Sequence, residues 1–340
     1  MIKCLSEIIQ FKNGKKRPDS NGCIPVYGGN GILGYTDIPN YADCIIIGRV
    51  GAYCGSVYRE HESCWVSDNA IAAMPKGKND TDYCYFLLKS LKLNSRHIGT
   101  SQPLLTQEIL NRIEADIPHV ETQSQIASIL RVIDEKISNN NKINDNLQQQ
   151  AQAIYHAMFI ANPDPSWPEG KLADLITVKY GKDHKKLADG QYPVYGSGGI
   201  MRYVERPIFE RESVLIPRKG TLNNVLYVNQ PFWSVDTMFY TEMKLPNVAK
   251  YVYHFVKAKD LASMNAGSAV PSMTTDILNA MDILIPSAEA LQQFENTVAP
   301  MYKMMQANEQ QNAKLATIRD TLLPRLMSGE IDVASVKLGS

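Results

Sequence analysis

Residues 24–35 read IPVYGGNGILGY, and residues 192–203 read YPVYGSGGIMRY. The shared order of aromatic, glycine and β-branched residues sets an offset of 168, and that offset holds when carried outward along the chain. It pairs Trp65 with Trp233, Asp68 with Asp236, Pro103 with Pro271, Thr106 with Thr274, Ile109-Leu110-Asn111 with Ile277-Leu278-Asn279, and Pro118 with Pro286. One residue of drift pairs Leu5, Gly14 and Lys15 with Leu172, Gly181 and Lys182, and Arg49 and Gly51 with Arg218 and Gly220. Twice the offset is 336, so the 340-residue chain is two copies of one plan.

Each copy changes periodicity part-way. Its first part, about 120 residues, mixes short β-branched runs such as CIIIGRV and SVLIPRK with Gly and Pro punctuation, and a helical stretch at residues 83–91 recurs at 248–256. That pattern predicts a compact α+β unit. Thr106 and Thr274 stand as N-caps of a short helix, followed by a strand that ends at Ile117-Pro118 and Ile285-Pro286.

The second part is one long helix. Apolar spacing of four and three gives Ile126, Leu130, Ile133, Ile137, Asn140, Asn144, Leu147, Ala151, Ile154 and Met158. The copy gives Phe294, Val298, Met301, Met305, Asn308, Asn312, Leu315, Arg319, Leu322 and Leu326. Both seams place Asn at the same two positions, where a buried amide weakens a coiled coil yet fixes its register. Helices are predicted over residues 123–160 and 291–327. They leave successive globular units, so pairing their seams makes them antiparallel and relates the copies by a two-fold axis.

Composition narrows the function classes. With 44% apolar and 21% charged residues the chain is an ordinary globular protein, and 35 basic against 35 acidic residues give no net charge. No apolar run has signal-peptide or membrane-span character, which predicts a cytoplasmic protein with no membrane association. The six cysteines all lie within residues 4–84 without a CxxC pair, and Cys44, Cys54 and Cys64 face Ser213, Asn223 and Phe232 in the copy. They are expected as half-buried thiols rather than a metal site or disulfide framework. Phosphate-loop, dinucleotide and HExxH patterns are missing, so neither a cofactor, a metal nor a catalytic residue is expected.

Divided by part, the charge is no longer flat. Residues 1–100 hold 12 basic and 9 acidic groups, 101–162 hold 4 and 7, 163–268 hold 14 and 11, and 269–340 hold 5 and 8. The globular parts are basic and the helices acidic, as suits parts that approach a polyanion and parts that meet protein. Basic residues gather before each glycine repeat: Lys12, Lys15, Lys16 and Arg17 in one, Lys179, Lys182, His184, Lys185 and Lys186 in the other. Arg49 in IGRVGAY and Arg218-Lys219 in IPRKGTL recur likewise. Glycine lets backbone amides approach phosphate, and arginine can fork onto guanine O6 and N7. Asp68 and Asp236, beside Trp65 and Trp233, are expected to pair within each core.

These stretches, with residues 99–137 and 267–305 and the ending LLPRLMSGEIDV, resemble the DNA-specificity subunits of type I restriction-modification systems over essentially the whole chain. The resemblance implies an α+β chain with two pseudo-two-fold related α/β target recognition domains, at residues 1–120 and 163–288, separated by two long antiparallel coiled-coil helices within 121–162 and 289–340. It implies a non-catalytic subunit that reads a split site in double-stranded DNA, docks two methyltransferase (modification) subunits on its helices, and joins restriction/translocase subunits in the full complex. Phosphate contacts are then expected from Lys15, Lys16, Arg17, Lys182, Lys185, Thr100, Ser101 and Ser268, and base contacts from Arg49, Arg59, Arg218, Lys219, Asn30 and Asn223. Three other readings remain at this level: a specificity subunit with a fused nuclease-methylase partner, a self-sufficient endonuclease or methyltransferase, and a paired-domain scaffold or sugar-binding protein without a DNA role.

Overall fold

The structure, a computed structural model, describes residues 1–99, 103–264 and 272–333. The chain forms two compact units, one of residues 1–141 with 308–340 and the other of residues 142–307. Both boundaries fall in the middle of the long helices rather than at their starts. The reason is burial: Ile126, Ile129, Leu130, Leu323 and Leu326 belong to the core of the first unit, and Ala151, Tyr155, Phe159, Leu291, Phe294 and Val298 to that of the second. Each globular part thus buries the near half of both helices.

In the first unit a six-stranded sheet runs in the order Ile9–Asn13, Ala70–Pro75, Tyr41–Gly48, Val57–Val66, Ile24–Gly28, Gly31–Thr36. Neighbours are antiparallel except Ile24–Gly28 beside Val57–Val66, where Val26 faces Trp65 in parallel. The run Cys44 to Ile47 is fully buried because both faces are covered: Ile45 and Ile47 pack toward the helices, Cys44 and Ile46 against Tyr27, Cys64 and Val66. A strand buried on both sides reads as continuous apolar sequence, which is how CIIIG reads.

The second unit repeats this order, with Ile176–Tyr180, Met238–Met243, Ser213–Pro217 and Leu226–Val228 in one sheet and Trp233–Ser234, Asp189–Gly196 and Gly199–Val204 in another. Here Val194 faces Trp233 in parallel, the partners set by the repeat. The ten-residue strand Val57–Val66 is represented by two short pieces. Pro231, without an N–H to give to a ladder, lies between them.

The predicted caps are present. Thr106 Oγ1 accepts from the Ile109 amide and Thr274 Oγ1 from the Ile277 amide, both at 3.3 Å, opening the helices Gln107–Asn111 and Thr275–Asn279. The strands that follow, Glu114–Asp116 and Asp282–Leu284, pair with Ile2–Cys4 and Glu169–Lys171 at the start of each unit.

The long helices are Val120–His156, continued by a π-turn at Ala157–Ala161, and Ala288–Met327, each starting three residues earlier than the seam predicts. Within the first unit they are antiparallel, since Asp134 meets Arg319 at 2.7 Å while the later Asn140 meets the earlier Asn312 at 2.8 Å. Asn140 is fully buried and also donates to Gln311, and Asn312 donates to Asn141. In the second unit Asn144 donates to the Met305 carbonyl at 3.2 Å. Asn140, Asn144 and Asn312 of the seam are therefore engaged across it. No helix among the described residues is long and apolar enough to cross a membrane.

Of the cysteines, Cys44, Cys54, Cys64 and Cys84 are buried outright, deeper than expected, while Cys4 is partly buried and Cys23 exposed. Asp68 and Asp236 are exposed, so they do not pair inside the core as the sequence suggests. The tryptophans beside them have a different task.

Candidate nucleic-acid interface

In the first unit the Trp65 indole donates to the Lys15 carbonyl at 3.2 Å, and in the second Trp233 donates to the Lys182 carbonyl at 2.9 Å. The preceding glycines sit against backbone: a Cβ on Gly14 would lie 1.9 Å from the Ser67 oxygen, and one on Gly181 would lie 2.0 Å from the Val235 oxygen. The repeated Gly-Lys is thus a pinned turn that leaves each lysine side chain in solvent. Lys16, Arg17 and Lys185 are exposed on the same segments. Arg17 crosses to the neighbouring strand, donating to the Leu33 carbonyl at 3.3 Å. The Lys185 amide is held by Asp183, a turn contact that leaves its ammonium outward.

The two arginines of the Gly-containing loops are held alike. The Arg49 amide donates to the Asn69 carbonyl and its own carbonyl accepts from Leu105; the Arg218 amide donates to Thr237 and its carbonyl accepts from Met273. All four partners are related by the repeat. The side chains then diverge. Arg218 lies over the Tyr180 ring at 5.3 Å and donates to the Asp236 carbonyl, which orients its guanidinium, while Arg49 Nε is shielded from solvent without a partner among the described residues. Lys219 is exposed beside Arg218 where the first unit has Val50.

The glycine repeats form hairpins whose tips are two-residue turns, Gly29-Asn30 between paired Gly28 and Gly31, and Ser197-Gly198 between paired Gly196 and Gly199. Gly31 and Gly199 have φ of +96° and +111°, which a side chain would strain. Both tips stand next to the arginine loops. The Gly29 Cα faces Val50 and Asn69 backbone, and Ser197 accepts from Asn224 and faces Gly220. Asn30 is exposed at its tip, so the fold brings together Asn30 and Arg49 in one unit, and the Ser197 tip, Arg218 and Lys219 in the other.

Two expected base readers are committed elsewhere. The Arg59 guanidinium is only 9% exposed and bonds Asp82 at 2.7 Å and Asp43 at 2.5 Å, and its remaining donors reach the Cys44 and Glu60 carbonyls. It is a structural cation inside the first unit. Asn223 donates to Asp260 and accepts from the Ala262 amide, both at 3.0 Å, which ties down the turn after the helix Ala249–Lys257. Thr100, Ser101 and Ser268 lie outside the described residues. The tryptophan clamps and the Tyr180 shelf went unread from sequence, although Trp65 and Trp233 recur at the same offset as the lysines they hold.

Comparison with known proteins agrees with this duplication. The family model of the type I restriction modification DNA specificity domain matches residues 1–149 and again 165–316. The type I restriction enzyme MjaIX specificity subunit of Methanocaldococcus jannaschii is 23% identical over 308 residues, covering 76% of this chain and 71% of that protein. A putative type I specificity subunit of Mycoplasma pneumoniae is 22% identical over 304 residues, covering 84% and 83%. Among solved structures, the S subunit of a type I restriction-modification system from M. genitalium matches with a TM-score of 0.63 at 20% identity over 96% of both chains, a likeness of fold.

Proposed function

The chain belongs to the family of type I restriction-modification DNA-specificity subunits, and from that membership we propose that its two units each read one half of a split duplex target. One observation supports this reading most: Arg49 and Arg218 occupy the same backbone position beside equivalent hairpin tips, while the groups around them differ. A pair of readers for different half-sites must vary there.

Lys15, Lys16 and Arg17 in the first unit and Lys182 and Lys185 in the second take phosphates, joined by Thr100, Ser101 and Ser268. Arg49 with Asn30, and Arg218 with Lys219, take base edges. Arg59 does not belong to that set because its guanidinium is buried and paired with carboxylates, nor Asn223, whose amide ties down a surface turn. The long helices dock two methyltransferase subunits; Val132 and Ile318 in the first unit and Ile143 and Met304 in the second are exposed apolar residues on them. Restriction/translocase subunits join that core for cleavage. The chain itself supplies no catalytic group, and modification chemistry belongs to its partners.

The test is co-expression with the methyltransferase subunit of its own system and mapping of methylated adenines. A two-part motif with an unspecified spacer is expected. A continuous motif, or catalysis by the purified chain alone, would refute the reading.

A further inference from the structure

The outer strand of each hairpin carries a second repeated device. In the first, Val26 faces Gly34 and Tyr27 faces Ile32, so Leu33 is an extra, bulged residue; in the second, Val194 faces Arg202 and Tyr195 faces Ile200, so Met201 is the extra one. Each bulged side chain folds back over a glycine. A Cβ on Gly28 would lie 2.5 Å from Leu33 Cδ1, and one on Gly196 would lie 2.6 Å from Met201 Sδ. The result is an open apolar group, with Ile32 at 50%, Leu33 at 41% and Tyr35 at 50% exposure, matched by Ile200, Met201 and Tyr203 at 48, 60 and 50%.

We infer that these two hairpin faces are apolar platforms that pack against the sugar edges of duplex DNA without reading its sequence. The inference rests on the function proposed above. Residues that read different half-sites should diverge between copies, as Asn30 and Gly198 or Val50 and Lys219 do. The platforms keep Ile32 and Tyr35 as Ile200 and Tyr203, and exchange Leu33 only for the apolar Met201. The bulge interrupts the edge ladder and disfavours an added protein strand. Neighbouring charge favours a polyanion, since Lys15, Lys16 and Arg17 flank one hairpin, Arg17 reaching Leu33 itself, and Lys182 and Lys185 precede the other. Apolar side chains set among cations are a recurring way to grip a duplex independently of its bases.

The experiment uses the complex with its methyltransferase subunits, titrating a fluorescent target duplex and a scrambled duplex across a salt series. The variant Leu33→Ala/Tyr35→Ala/Met201→Ala/Tyr203→Ala should assemble normally and bind both duplexes about tenfold more weakly, with an unchanged salt slope because no phosphate contact is lost. Gly28→Ala/Gly196→Ala, which displaces the bulged side chains and keeps their chemistry, should lose affinity in the same direction. Unchanged affinity, loss confined to the target duplex, or loss of assembly in place of DNA binding would each overturn the platforms and leave the proposed function standing. An unsubstituted complex that binds neither duplex would overturn both.

Discussion

In the first unit Arg59 lies between Asp43 and Asp82; the repeat-related positions of the second unit hold Tyr227, Glu212 and Lys250. The strand partners agree, for Arg59 pairs with Ile45 and Tyr227 with Val214. The cation has moved from the strand to the helix. Lys250, 4% exposed, meets Glu295 at 2.7 Å and Glu212 at 3.5 Å, and its ammonium lies 5.0 Å over the Tyr227 ring. Tyr227 donates to Glu212 at 2.6 Å, and burial, with Glu212 second, keeps its phenol above the ordinary value and protonated. One fold thus tolerates opposite charge placement provided that every buried charge meets its complement. At these positions the copies preserve backbone pairing, not side-chain chemistry.

The largest expected effect comes from breaking the second arrangement. Lys250→Met strands Glu295 with no cation and should cost about 3–5 kcal/mol in chemical denaturation, whereas Lys250→Met/Glu295→Leu should recover most of it. Arg59→Met should cost less, about 2 kcal/mol, because Asp43 is exposed and Asp82 keeps Arg131 at 3.6 Å. Equal losses would mean that the two sites are not the contrasting solutions described.

Acid should also separate the units. His254 is fully buried between Gln152 at 2.7 Å and Tyr302 at 2.9 Å, and burial pushes its pKa down from 6.5 to about 4. Between those values the unfolded chain binds more protons, so the stabilising share of the neutral ring is complete above pH 6.5. It is lost as pH falls toward 4, by about 3 kcal/mol in all. The first unit has Phe86 at this position and lacks that dependence. From pH 7 to 4 the stability of the parent relative to His254→Phe should fall by about 3 kcal/mol in denaturation curves; parallel curves would remove His254 from the account.

Smaller effects concern recognition and register. Arg218→Ala should weaken target binding by about 1–3 kcal/mol and relax one position of the target. A uniform loss over all sequences would make Arg218 a phosphate contact. Asn140→Leu should raise stability by about 1 kcal/mol, since Gln311 is exposed and Asn312 keeps Asn141, at the expense of a uniquely set helix register. A fall in stability would show that the amide contributes more than alignment.

The Thr106 and Thr274 caps and the asparagine seam were legible in sequence because each depends on local spacing, and the repeat because one offset of 168 runs through the chain. Arg59 was not, for its meaning lies in Asp82, 23 residues on, which only the strand-to-helix packing brings to 2.7 Å. Trp65 and Trp233 were read with the aspartates nearest in sequence, yet their indoles serve carbonyls 50 and 51 residues earlier. The bulges at Leu33 and Met201 are matters of register, which an alternating pattern on a half-exposed edge strand does not specify. Pattern reveals elements; the pairing of distant elements decides which cations remain available to a ligand.

The central claim is that two separately held arginine loops serve two half-sites. The direct measurement is methylated-adenine mapping with complexes that carry Arg49→Ala or Arg218→Ala. The account predicts that each substitution loosens a different half of the motif and leaves the other half and the spacer as they were. A change in the same half from both, or in both halves from either, would contradict it.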